Sequence, residues 1–93
     1  MAEQIIKAIH GDCRADQVFW TQNGVLVHNI YELIHAVEHM DEFTFRYHVN
    51  EDNNKNDFAD WIRDVFADEE LAMKLEGLND KKKYLEILKQ WVE

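Results

Sequence analysis

Asp57-Phe-Ala-Asp-Trp-Ile-Arg-Asp-Val-Phe66 is the stretch on which the fold turns. Phe58, Trp61, Ile62, Val65 and Phe66 fall at i, i+3, i+4, i+7 and i+8, a complete apolar stripe with the 3.6-residue period of a half-buried helix. Asp57, Asp60 and Asp64 recur at i, i+3 and i+7 on the polar side. Downstream, Asp68 is placed to cap a new helix carrying Leu71, Leu75 and Leu78 that ends near Gly77. Asn79 or Asp80 then starts a last helix, on which Tyr84, Ile87, Leu88, Trp91 and Val92 repeat the stripe.

Upstream, the segment from Asn50 to Asn56 is a polar, Asn-rich turn in which side chains can bond their own backbone. Residues 41–49 suit two readings, because Phe43, Phe45, Tyr47 and Val49 alternate like a strand while Asp41 is a helix cap; the short helix is preferred. Asn29 caps the helix before it, with Glu32 three positions on and Ile30, Leu33, Ile34 and Val37 as its apolar face, running to about Met40. In Gln17 to His28, two runs rich in β-branched and aromatic residues flank Asn23-Gly24, a pair suited to a type I′ hairpin turn. Ile5, Ile6 and Ile9, stopped by Gly11, suggest a short opening helix.

With no proline, three glycines and no repeat or linker, the chain of 93 residues reads as a single domain over 1–93. The expected fold is mostly α, α+β at the margin, with four to six short helices and an N-terminal β-hairpin at about 17–28. Hydrophobic residues at 46% exclude intrinsic disorder, and a chain of this length folds to a radius of gyration of about 12 Å. The three tryptophans, Trp20, Trp61 and Trp91, are expected in the core.

Ten Lys and Arg against nineteen Asp and Glu leave a formal net charge of −9, which disfavours direct nucleic-acid binding and anionic membranes. There is neither a long apolar run nor a basic region leading into one, so a soluble, cytoplasmic protein is expected. Cys13 as the one cysteine cannot form an internal disulfide, and its spacing from His10 makes at most a weak chelate or thiol-base pair; a small packed hydrophobe is the simpler reading.

His35-Ala-Val-Glu38-His39 matches the H-x-x-E-H pattern of helical zinc ligands, although the helix period turns His35 and His39 towards solvent. Asp57, Asp60, Asp64 and Asp68 form the candidate partner-binding set, an acidic stripe that solvation and the helix dipole also explain. The segment from Asp16 to Asn29 resembles the C-terminal block of inteins, but Ile30 stands where that family carries a Cys, Ser or Thr nucleophile. No glycine-rich phosphate loop or serine-nucleophile elbow is present.

Phe45-Arg-Tyr-His-Val-Asn50, then Asn56-Asp-Phe-Ala-Asp-Trp-Ile-Arg-Asp-Val65, resembles a small prokaryotic domain family of unknown function, over roughly residues 13–75. The resemblance points to Phe45, His48, Asn56, Asp57, Phe58, Trp61 and Ile62, each with a structural explanation: His48 clamps the following helix, Asn56 or Asp57 caps it, and the apolar residues fill its buried face. It implies no paired histidine at His35 and His39, which counts against a metal role, and a shorter loop than residues 51–55. The expectation is a non-enzymatic acidic interaction or accessory module with no cofactor, whose partner is a protein of basic character. The alternatives are an acidic nucleic-acid mimic that inhibits a DNA- or RNA-binding enzyme, and a metal-responsive domain using His35 and His39.

Overall fold

The computed structural model describes residues 12–92. The opening helix expected around residues 5–9, and His10 with it, lie outside that range. After a 3₁₀ turn (Ala15–Gln17) come β1 (Phe19–Trp20), β2 (Leu26–Val27), α1 (Ile30–His39), α2 (Glu42–His48) and β3 (Val49–Asn50). A second 3₁₀ turn (Glu51–Asn53) leads into β4 (Lys55–Asn56), α3 (Asp57–Phe66), α4 (Glu69–Leu75) and α5 (Lys81–Val92). The fold is a small α-dominated domain, with five α-helices and an N-terminal hairpin among the described residues. Its radius of gyration is 12.4 Å.

Four of the described helix starts are fixed by a side chain that takes up an otherwise orphaned backbone donor. Asn29 accepts from the Glu32 N–H at 2.8 Å, Asp41 from Thr44 at 2.8 Å, Asn56 from Ala59 at 3.2 Å and Asp68 from Leu71 at 3.0 Å. The cap on Asp41 decides the ambiguous segment: residues 42–48 are helix, with Thr44, Phe45 and His48 inward and Phe43 and Tyr47 outward. Helix α1 packs on β2 and α5, α3 on α4, and α4 on α5. Ile30, Leu33, Val37, Phe45, Phe58, Ile62, Leu71, Leu75, Tyr84 and Leu88 meet in one fully buried cluster. Each large side chain of this kind contributes roughly 1.5–3 kcal/mol on leaving water.

The first hairpin differs from its expected form. A type I′ turn needs positive φ at both central residues, but within the turn only Gly24 has it, at +86°. The Gly24 N–H donates to Thr21 O and the Thr21 N–H to Val25 O, both at 2.9 Å, which makes Gln22–Gly24 a three-residue loop with glycine in the left-handed position. The Asn-rich segment holds a second, unforeseen hairpin, in which Val49 pairs with Asn56 and Asn50 with Lys55, antiparallel. Asn54 closes it at φ +56°, a conformation asparagine tolerates better than most residues.

Trp20 corrects another expectation. Trp61 is buried and Trp91 packs against the core, but Trp20 is 68% exposed, because its strand partner Leu26 shares its outward face while Phe19 and Val27 face inward.

Candidate functional site

Asn56 is the centre of the motif residues. Its Oδ1 accepts from the Ala59 N–H at 3.2 Å and from the Tyr84 hydroxyl at 2.6 Å, and its Nδ2 donates to Glu51 Oε2 at 2.7 Å and Leu75 O at 3.0 Å. All four hydrogen-bonding positions of the amide are used, and the partners fix which end is oxygen. One side chain thus joins the second hairpin, the start of α3, the end of α4 and the first turn of α5. Burial also drives the Tyr84 phenol well above its ordinary pKa, so the group stays a hydrogen-bond donor.

His48, also buried, joins the first hairpin to α3. Its Nε2 lies 2.8 Å from the Gln22 amide nitrogen and its Nδ1 lies 2.9 Å from Asp57 Oδ2. A backbone N–H can only donate, so Nε2 is the bare acceptor and Nδ1 carries the proton donated to Asp57. The ring packs with Phe19 and Phe58 at centroid distances of 5.2 and 5.1 Å. Trp61 Nε1 donates to Gln17 O at 2.7 Å and ties the same helix to the chain before β1. The six residues Phe45, His48, Asn56, Phe58, Trp61 and Ile62 are all buried.

The acidic stripe is shorter than its spacing suggested. Asp60 and Asp64 are exposed on α3, but Asp57 is half-buried, bonded to His48 and 3.5 Å from Lys55 Nζ. Asp68 does not belong to that face. Ala67 adopts the left-handed conformation (φ +54°) and ends α3, so Asp68 turns inward, is only 8% exposed, and divides its carboxylate between the Leu71 N–H and Trp91 Nε1. Arg63 beside the stripe is committed to Glu69, Glu76 and Asp60. Asp60 has its pKa raised, first by burial of part of the carboxyl and then by Asp57, Asp64 and Glu76, with Arg63 opposing.

His35 and His39 stand on the exposed side of α1, as the helix period requires, with ring centroids 4.3 Å apart. Glu38 lies beside them, and donor atoms of all three come within 4.8 Å of one another. Cys13 is half-buried against the core; burial raises its thiol pKa, which keeps it a weak nucleophile.

The reading by residue type missed an exposed apolar surface on the first hairpin. Trp20 and its cross-strand partner Leu26 face outward, and Val25 and Tyr31 are exposed as well. Val25, Leu26, His28, Asn29, Tyr31, Glu32 and His35 line a shallow recess of about 400 Å³. The alternation of Phe19 and Trp20 in a two-residue strand was the available signal: if one faces the core, the other faces water.

A buried polar scaffold, a hairpin with an outward aromatic face and a helix bearing exposed carboxylates define a small helical domain. The chain belongs to a family of unknown function, DUF5752, whose pattern matches residues 23–90. No curated protein and no solved structure matches it. No helix among the described residues is long and apolar enough to cross a membrane.

Proposed function

We propose that this domain is a non-enzymatic docking module for a protein partner of basic character, in keeping with the cytoplasmic location expected from its sequence. The observation that carries this reading is the outward Trp20–Leu26 pair, an aromatic and an aliphatic side chain left in water on a hairpin whose other face is packed. Exposed aromatics of this kind serve as anchors at protein interfaces, where tryptophan is enriched among the residues that dominate affinity. Charge supports the choice of partner. The net charge of −9 attracts cationic surfaces, and Asp60 and Asp64 add fixed negative charge on α3, the helix that His48 links to the hairpin turn. Partial burial of its carboxyl, and after it Asp57, Asp64 and Glu76, raise the Asp60 pKa against the opposing Arg63.

The nucleic-acid mimic needs a longer row of exposed carboxylates than Asp60 and Asp64 supply, and the protein partner is therefore preferred. Affinity capture with the folded domain tests the proposal. Trp20→Ala is expected to abolish capture and Asp60→Lys with Asp64→Lys to weaken it, both with an unchanged melting temperature. A partner held equally by all three proteins would refute the assignment.

A further inference from the structure

We propose that His35, Glu38 and His39 form an exchangeable binding site for a late first-row divalent metal ion, Zn²⁺ in the first instance. The site stands on its own geometry and does not depend on the docking proposal.

The two imidazoles lie four residues apart on α1, so they project one above the other from the same side of the helix. Zinc binds imidazole nitrogen at about 2.0–2.1 Å, so two tetrahedral ligands sit about 3.3 Å apart. The donor atoms of His35, Glu38 and His39 are already within 4.8 Å of one another, and side-chain rotation can close the remainder without moving backbone. The backbone is also well held: Asn29 caps the helix, and Ile30, Leu33, Ile34 and Val37 are buried beneath it. Binding therefore has to order only exposed side chains on an existing scaffold.

Two imidazoles with one carboxylate suit zinc, copper, nickel or cobalt, whereas magnesium and calcium require more oxygen ligands. Glu38 is now 2.6 Å from Lys89 Nζ on α5. The half-exposed Lys89 can be released to water, freeing the carboxylate to turn towards the two imidazoles. A metal held on this face keeps open positions filled by solvent. Without enclosing walls the site suits reversible metal binding, which supplies the chemistry of a metal-responsive domain.

Calorimetric titration with zinc chloride, together with NMR of the histidine ring protons, tests the assignment. One equivalent is expected to bind, shifting the His35 and His39 signals together, with the melting temperature climbing as zinc increases. Magnesium chloride is expected to do neither. His39→Gln and His35→Gln, both at exposed positions, are each expected to abolish the response, while His28→Gln retains it. Silence of the wild-type protein at about hundredfold molar excess of zinc would overturn the proposal. So would a response that survives in both His35→Gln and His39→Gln.

Discussion

The Tyr84 hydroxyl donates to Asn56 Oδ1 at 2.6 Å inside the apolar core, joining the last helix to the residue that caps α3. Asn56 has no spare valence, so shortening it strands the Ala59 N–H, the Tyr84 hydroxyl, the Leu75 carbonyl and a carboxylate oxygen of Glu51 together. Asn56→Ala is expected to cost about 3 kcal/mol and Tyr84→Phe about 1 kcal/mol. In a domain of this size each kcal/mol lowers Tm by roughly 4–8 °C. Urea melts of both single variants and the double variant check this, and the double variant should lose less than the two singles combined. Strict additivity would show that the two side chains act independently.

The helical part of this fold was legible because period and caps report local physics. Phe58 to Phe66 advertised one face, and Asn29, Asp41 and Asp68 each cap the helix assigned to them. The second hairpin was hidden because its strands have two residues each, too short for alternation to register, and its loop looked merely polar. Asp68 shows the other limit. Its spacing from Asp64 continues the stripe only if the helix continues, and Ala67 in the left-handed conformation ends it. The outward face of Trp20 was obscured by residue type, since tryptophan in a small domain is ordinarily core.

His48 bonded to the Gln22 amide makes the first hairpin report on the ring. NMR of the imidazole nitrogens is expected to show Nδ1 protonated and Nε2 bare. His48→Phe keeps an aromatic ring against Phe19 and Phe58 but removes both hydrogen bonds. Its expected signature is faster amide exchange at Gln22, with Ala59 on α3 little changed; equal protection of Gln22 in both proteins would contradict the clamp.

Acid should act on the Asp41 cap of α2 and on the Glu38–Lys89 pair. The Thr44 backbone N–H and hydroxyl hold the Asp41 carboxyl below its usual range, and the Lys89 hydrogen bond does the same for Glu38. A depressed carboxyl pKa gives stability that is complete above the unfolded value, about 3.9 for Asp and 4.3 for Glu, and lost as pH falls through the folded value. Melting curves are expected to drop below about pH 4, and Asp41→Ala should lose less on acidification than wild type. Asp60 has the opposite sign: its raised pKa is a penalty above the folded value, relieved as pH falls. Asp60→Asn is therefore expected to melt no lower than wild type at pH 7, and a clear fall in Tm would assign Asp60 a structural role.

Ala67 occupies a backbone conformation that costs a side-chain-bearing residue roughly 1–2 kcal/mol, and glycine avoids that cost while adding freedom to the unfolded chain. Ala67→Gly is expected to stabilise by about 0.5 kcal/mol net, read as a higher midpoint in urea. A lower midpoint would mean that the Ala67 methyl contributes more than its backbone costs.

Capture of partners from native lysate by wild type, Trp20→Ala and Asp60→Lys/Asp64→Lys, at about 50 and 200 mM salt, tests the docking role most directly. A basic protein is expected to bind wild type, to be lost with Trp20→Ala, and to be weakened by both charge reversal and salt. Capture indifferent to Trp20, to both aspartates and to salt, or no capture at all, would contradict it.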